Sequence, residues 1–215
     1  MIVVTGAGRC GSSLMMQTLH LLGVPMIGDP ENDKGRNTLM DEDSSGILAK
    51  QIIKMNPKGY WELPINDVYN MIDFGFKDHE GKAIKILAAP FTQLNFNDID
   101  KVIYCKRRDR ETQAKGVWDM SRIDLRIKAE NNSSNRYIDW FENKTVDDIR
   151  NRQDLMIRHL EYTLRHYKIP VLDIVFEDIV TNPRKEIEKV VQFLDLDVDI
   201  SKAIDNVDVR NEASI

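Results

Sequence analysis

With 215 residues, the chain is long enough for a single domain with a complete hydrophobic core. A composition that is 42% hydrophobic and 30% charged is typical of a water-soluble globule and argues against disorder, and no apolar run approaches the roughly 18 residues of a membrane span. The formal net charge of -5 argues against a nucleic-acid surface as the main function, because such surfaces depend on many phosphate contacts by Lys and Arg.

Four apolar runs predict buried parallel strands, and helical patterns lie between them. The strands are expected at Ile2–Thr5, Ala83–Ala88, Lys101–Cys105 and Val171–Phe176. Since strands that alternate with helices form a parallel sheet covered on both faces, we expect one three-layer α/β domain over residues 1–215. No basic leader precedes the first strand, so we expect a cytoplasmic protein without a membrane partner.

Helical spacing of apolar residues predicts helices at Leu14–Leu22 and, after Pro64, at Ile65–Ile72. A longer helix begins after the N-cap Thr145, and another begins after Asn182. The longer helix carries one stripe of residues along one side: Val146, Ile149, Gln153, Met156, Ile157, Leu160 and Leu164. Residues 119–144 are polar, rich in Asn and Ser and without clear periodicity apart from a short stretch at Ile123–Ile127, which predicts a long loop or lid that shapes an acceptor site.

The segment Thr5–Ser13, with the sequence TGAGRCGSS, follows the first strand and leads into the first helix. Glycines let a backbone curl around an anion, and the first amides of the helix point free hydrogens and the positive dipole end at it. The segment is therefore predicted to bind a phosphate-bearing ligand in a P-loop-type fold. The alternative is an ordinary tight turn between a strand and a helix.

The loop differs from a Walker loop at one position. Gly6 and Gly11 have the Walker spacing, but Ser12 stands where the lysine belongs. That lysine reaches the terminal phosphates of a nucleoside triphosphate, so its absence disfavours ATP or GTP hydrolysis. Arg9 supplies a cation from inside the loop instead.

Three segments resemble the signature of the PAPS-dependent sulfotransferases, in particular those of bacterial and phage type; PAPS is 3′-phosphoadenosine 5′-phosphosulfate. Gly8–Leu14 resembles the family's phosphosulfate loop, Pro-Arg/Lys-Ser-Gly-Thr-Thr-Leu. Val102–Asp109 resembles the strand and arginine of its 3′-phosphate motif. Val175–Pro183, followed by Val191–Leu196, is similar to the late Tyr-Glu-Asp-Leu, Asp-Pro and Phe-Leu-Gly-Leu signature. The matches occur in family order and frame almost the whole chain.

The resemblance implies a P-loop sulfotransferase that moves a sulfuryl group from PAPS to a hydroxyl or amine and releases adenosine 3′,5′-bisphosphate (PAP). The residues expected to hold the donor are Gly8, Arg9, Cys10, Gly11, Ser12, Ser13, Arg107, Arg108 and Lys115. The family's 3′-phosphate serine is replaced by Gly116 when counted from Arg108, and by Lys115 when counted from Arg107. Arg110 replaces the proline that usually follows Arg-Asp.

Two residues are candidates for the chemistry. Arg9 can neutralise the leaving phosphate, because its guanidinium fork spans two oxygens. Glu62 lies in Gly59–Pro64, which is similar to Gly-Tyr/Phe-Trp/Phe-Glu stretches of bacterial-type sulfotransferases. Some relatives of those proteins use a glutamate as base, so the resemblance implies that role for Glu62; the alternative is a helix-capping carboxylate. No metal is required for a stable phosphate leaving group, and no His, Cys and Asp cluster has metal-ligand spacing.

Other readings remain open at this point. A P-loop kinase for a small metabolite is disfavoured by Ser12, and Gly116 leaves room for a non-catalytic nucleotide-binding relic of the fold. Cys10 and Cys105 are too few for a disulfide framework. Lys85 either lines the cleft or edges the sheet. The remaining polar candidates are assigned structural roles: His20, His159, His166, Glu177 and Asp178.

Overall fold

The fold is that of a computed structural model, which describes residues 1–28, 61, 63, 79–130 and 144–213. In this part of the chain four strands form one parallel sheet in the order β2-β1-β3-β4. The strands are β1 Ile2–Thr5, β2 Ala83–Lys85, β3 Lys101–Lys106 and β4 Val171–Val175. The expected strands are confirmed, except that Ile86–Ala88 lies beyond the end of β2 and Phe176 lies beyond the end of β4.

Helices cover both faces of the sheet. They are α1 Ser12–Leu21, α2 Ala88–Phe91, α3 Arg110–Glu130, α4 Val146–Tyr167, α5 Phe176–Thr181, α6 Pro183–Leu194 and α7 Ser201–Ala213. Alternating strand side chains point to opposite faces, so Val4 and Ile103 pack with α1 and α5–α7, whereas Val3 and Val102 pack with α2 and α4. This arrangement confirms the expected three-layer α/β architecture.

The helix boundaries follow the predicted signals closely. Helix α4 begins after Thr145, whose side chain accepts a hydrogen bond from the Asp148 amide while Asp148 bonds back to Thr145, so both form a capping box. Helix α6 begins at Pro183, but the Asn182 side chain makes no capping hydrogen bond. The predicted helix at Ile65–Ile72 lies outside the described residues.

The prediction of a loop at 119–144 is wrong for residues 119–130, which form the second half of helix α3. Helix α3 packs against α4 through a small apolar cluster that contains Ala114, Val117 and Ile149. Adding a residue to an existing helix is far easier than nucleating one, so a helix anchored there extends into a weakly patterned segment. Residues 131–143 lie outside the described residues, and a lid there stays a prediction.

The capping box of α4 predicts a specific loss of stability. Thr145→Ala should lower the free energy of unfolding by about 1 kcal/mol, because the first-turn amide of α4 loses its acceptor. Thr145→Ser keeps the oxygen and should be close to the parent in urea unfolding. Hydrogen bonds from the Thr145 amide and hydroxyl lower the pKa of Asp148. The difference between Ala and Ser should therefore shrink as the pH falls through this lowered pKa.

A result in which alanine and serine are equally stable at neutral pH would contradict the role assigned to the Thr145 oxygen.

Candidate functional site

The loop between β1 and α1 lies at the carboxyl end of the parallel strands, where ligands bind in open α/β folds. Its backbone reverses direction at three residues with positive φ, namely Gly6 at 154°, Arg9 at 63° and Gly11 at 90°. Arg9 is the exception among them, because a residue with a Cβ pays roughly 1–2 kcal/mol for this conformation. Such local strain is typical of a functional loop and brings successive amides together.

The start of α1 is electrostatically suited to an anion. Its first turn contains no acidic residue, and the free amides of a helix N-terminus carry partial positive charge. The Lys85 side chain is only 4% exposed, and its Nζ donates a hydrogen bond to Ser13 Oγ at 2.9 Å. Lys85 therefore contacts the loop from β2, which is an edge strand of the described sheet.

Cys10 and Cys105 are buried and reduced, and their thiols contact each other beneath the loop. The hydrogen bond from Cys105 lowers the pKa of Cys10 to about 7, although burial opposes the shift. The same contact, together with burial, raises the pKa of Cys105. A Cβ on Gly6 would lie 2.5 Å from Cys10 Sγ and 2.4 Å from the Cys105 carbonyl oxygen, so only glycine fits above this pair.

Arg107 connects the end of β3 to the loop. Its Nη1 donates to the Arg9 carbonyl at 3.3 Å, and its guanidinium lies 4.7 Å from the centre of the Phe176 ring. Glu177 accepts hydrogen bonds from the amides of Arg108 and Asp109 at 3.0 and 3.1 Å. Burial alone would raise the pKa of Glu177, but these amide hydrogen bonds hold it below its ordinary value.

Arg108 has a different environment from Arg107. Its side chain is 63% exposed and forms a two-pronged ion pair with Asp178 at 2.8 and 2.9 Å. The pKa of Arg108 is raised by this hydrogen-bonded carboxylate. Glu177 and Asp178 thus hold the turn after β3 in place, which agrees with the structural roles expected for them.

Lys115 and Gly116 occupy the region of the family's missing serine. The Lys115 side chain is 68% exposed and pairs with Asp119 at 3.3 Å. Gly116 lies under the Arg9 side chain, since an added Cβ would come within 3.3 Å of Arg9 Nε. Glycine at this position therefore gives the loop arginine room to rest against α3.

The predicted base, Glu62, lies outside the described residues. Its neighbour Trp61 is buried, with its ring 5.2 Å from the ring of His20 in the last turn of α1. Gly28 lies beside the Trp61 carbonyl, and Met26 pairs with Ala83 at the amino end of β2. Trp61 thus contacts the end of α1 that is distant from the loop. The role of Glu62 stays a prediction that needs a direct test.

The histidines agree with the surface roles expected for them, because His20, His159 and His166 are all exposed. Among the described residues no group of three or more His, Cys, Asp or Glu side chains is arranged as metal ligands. No helix in the described ranges is long and apolar enough to cross a membrane.

Comparison with known proteins supports the fold. No family model matches the sequence, and no curated protein matches it. A retinol dehydratase solved in complex with androsterone and the inactive cofactor PAP superposes with a TM-score of 0.52 at 14% identity. The match covers 97% of this chain but 64% of the dehydratase, so the chain spans less than two thirds of that protein.

A second solved structure is the sulfotransferase domain of the olefin synthase from Synechococcus PCC 7002. It has a TM-score of 0.43 and 16% identity, covering 95% of this chain and 75% of the domain. At these identities a likeness concerns the fold alone. The likeness to the dehydratase confirms the expected α/β fold.

Two buried glutamines at the loop were missed by the sequence analysis. Gln113 donates to the Ala7 and Gly8 carbonyls, and Gln153 donates to the Gly8 carbonyl. Gln153 gave a usable signal, because it is the polar residue within the otherwise apolar stripe of α4. Gln113 gave none, since α3 has no strong apolar periodicity around it.

The steric constraint on Gly6 can be tested against a matched glycine. Gly6→Ala should lower the free energy of unfolding by at least about 3 kcal/mol, because its Cβ meets a backbone carbonyl and Cys10. Gly23 also has a positive φ, of 80°, but an added Cβ meets nothing within 4 Å. Gly23→Ala should therefore cost about 1 kcal/mol in the same urea titration. Equal losses would show that the loop yields to a larger residue.

Proposed function

We propose that the chain is a sulfotransferase that transfers a sulfuryl group from PAPS to a hydroxyl or amine of an acceptor. The observation that carries the proposal is the loop itself, which turns at Gly6, Arg9 and Gly11 and opens α1 at the carboxyl end of the strands. A fold neighbour that was solved with PAP adds support, because PAP is the product that PAPS leaves behind.

The described residues fit a bisphosphorylated nucleotide. The amides of Gly11, Ser12 and Ser13 would hold the 5′-phosphate at the positive end of α1. A Cβ on Gly11 would lie 2.6 Å from the Phe176 ring, so glycine permits this aromatic ring to pack directly on the loop. Lys85 adds a positive charge close to Ser13.

The donor supplies an activated sulfuryl group on a leaving phosphate. Arg9 would neutralise charge on that phosphate, since it lies in the loop and its side chain is half-buried. Lys85 is held by Ser13 and would stabilise the same side of the transferring group. Glu62 is the proposed base that takes the proton of the acceptor.

Arg107 and Arg108 are the proposed partners of the 3′-phosphate, with Lys115 as an auxiliary charge. The two arginines differ in availability. Arg107 is bound to the loop through the Arg9 carbonyl and lies 3.7 Å from Glu177, whereas Arg108 forms a closer ion pair with Asp178 at 2.8 Å. A 3′-phosphate near Arg108 would compete with Asp178, while one near Arg107 would extend an existing contact with the loop.

Nucleotide binding without a metal tests the donor site. PAP should bind the parent protein in calorimetry with EDTA present, because Arg9, Lys85 and the amides already supply a positive field. ATP should bind more weakly than PAP, since the loop lacks a Walker lysine. Loss of PAP binding in EDTA would reject the proposed site, and ATP preferred over PAP with magnesium would favour the kinase alternative.

The two arginines can be separated by the same titration. Arg108→Ala should weaken PAP far more than adenosine 5′-monophosphate, because only PAP offers the 3′-dianion to a guanidinium. Arg107→Ala should weaken both nucleotides, since this residue also holds the Arg9 carbonyl. If Arg108→Ala affects both ligands equally, the 3′-phosphate role moves to Arg107 or Lys115, or is abolished.

Glu62→Gln separates a base from a cap. If Glu62 is the base, the substitution removes the proton acceptor and should lower turnover by about 10² to 10⁴, with little change in donor affinity. A capping carboxylate should cost under about 1 kcal/mol of stability and leave turnover nearly intact. The measurement is single-turnover sulfate transfer, with PAP affinity and thermal midpoint as controls, once screening has found an acceptor.

Turnover within about threefold of the parent would exclude the base role, because such a change is far smaller than the loss of a general base. The carboxylates of α3 would then be the next candidates, namely Asp119, Asp124 and Glu130.

A further inference from the structure

The carbonyl groups of the loop need hydrogen-bond donors, just as its amides need an acceptor. When successive amides converge on an anion, the carbonyls between them point away from it and need donors elsewhere. In this chain the carbonyls of residues 6–9 all accept hydrogen bonds from outside the loop. The Ala88 amide donates to Gly6 at 3.0 Å, and Arg107 donates to Arg9 at 3.3 Å.

The two central carbonyls are bound by side-chain amides. Gln113 Nε2 donates to the carbonyl oxygens of Ala7 at 3.2 Å and Gly8 at 2.8 Å. Gln153 Nε2 donates to the same Gly8 oxygen at 3.0 Å. The side chains are 0% and 4% exposed, so water cannot replace either donor at low cost.

The orientation of Gln113 is itself fixed by charged neighbours. Its Oε1 accepts a hydrogen bond from Arg110, and Arg110 Nη2 pairs with Asp154 at 2.6 Å. Asp154 follows Gln153 directly in α4. A continuous polar bridge therefore runs from α4 through the start of α3 to the loop and returns to α4. Because an amide presents its NH₂ or its oxygen, the arginine on Oε1 selects the donor orientation toward the loop.

We infer that Gln113 and Gln153 are positioning residues that hold the anion-binding loop in its binding conformation before any ligand arrives. They act by pulling the Ala7 and Gly8 carbonyls away from the anion, which turns the following amides toward it. The inference rests on the proposed function in one respect: it takes the anion that the loop binds to be the phosphosulfate group of the donor. Arg110 supports the same role by binding Gln113 Oε1, which gives a function to the arginine that stands where the family has proline.

Amide exchange in the ligand-free protein provides the first test. In Gln113→Met the loop amides of residues 8–13 should exchange at least about tenfold faster relative to those of β3, because two carbonyls lose a donor. Gln153→Met should have a smaller effect, since Gly8 keeps the hydrogen bond from Gln113. Thr163→Val is the control on α4: Thr163 is buried, and its hydroxyl bonds to the His159 carbonyl away from the loop.

Sulfate affinity provides the second test. Inorganic sulfate is the probe, because its charge is constant over the range in which a carboxyl group titrates. Gln113→Met should weaken sulfate binding by about tenfold or more, and Gln153→Met by less, whereas Thr163→Val should leave the affinity at the parent value. Gln153→Met is the milder variant and keeps the test available if Gln113→Met does not fold.

A pH profile separates positioning from mere packing. Gln153→Glu places a carboxylate against the Gly8 carbonyl at neutral pH and should weaken sulfate binding more than Gln153→Met does. When the pH falls through the pKa of the introduced carboxyl group, its O–H can donate to the carbonyl, and the affinity should recover relative to Gln153→Met. Loss of the negative charge alone would bring Gln153→Glu only to the affinity of Gln153→Met. The positioning role therefore requires the protonated Gln153→Glu variant to bind sulfate more tightly than Gln153→Met, and a packing role would not give this excess.

The inference is overturned if sulfate affinity and loop exchange are unchanged in both methionine variants, or if Thr163→Val changes them equally. A parent protein that binds neither sulfate nor PAP would overturn it as well. Sulfate binding that depends on the glutamines, with no binding of PAP, would reject the proposed donor while the positioning role stands. PAP binding that is unchanged in the variants of both glutamines would reject the positioning role while the proposed donor stands.

Discussion

Hydrogen bonding of a buried loop backbone is the constraint around which the rest of this protein is arranged. Every carbonyl of the loop after β1, from Gly6 to Arg9, accepts a hydrogen bond from another element. Those donors come from the segment after β2, from the end of β3, and from α3 and α4. The sheet order brings these elements together, so the loop conformation is a property of the whole domain.

The same constraint accounts for residues that depart from the sulfotransferase pattern. Gly116 leaves space for the side chain of Arg9, and Arg110 donates a hydrogen bond to Gln113. Cys10 takes the place of a serine but keeps a hydrogen-bonding partner in Cys105. Each difference is compatible with the proposed binding through backbone amides, which every one of these residue types provides.

Charge is distributed unevenly around the loop. Lys85, Arg9 and Arg107 surround it, whereas Glu177 and Asp178 lie behind the turn after β3 and bind amides or guanidinium groups there. This arrangement keeps negative side chains out of the first turn of α1. In a protein with an overall excess of acidic residues, such local separation lets one small region attract anions.

The sequence by itself determined the strands, the first and longest helices and the capping box at Thr145, because each depends on short-range periodicity or on adjacent residues. Anion binding by the loop is a prediction from the same short-range signals. It misjudged residues 119–130, whose helix extends from contacts between α3 and α4. Only the tertiary structure brought Lys85 to Ser13 and both glutamines to the loop carbonyls. Those contacts join residues more than 70 positions apart, and no local pattern encodes which distant donor meets a given carbonyl.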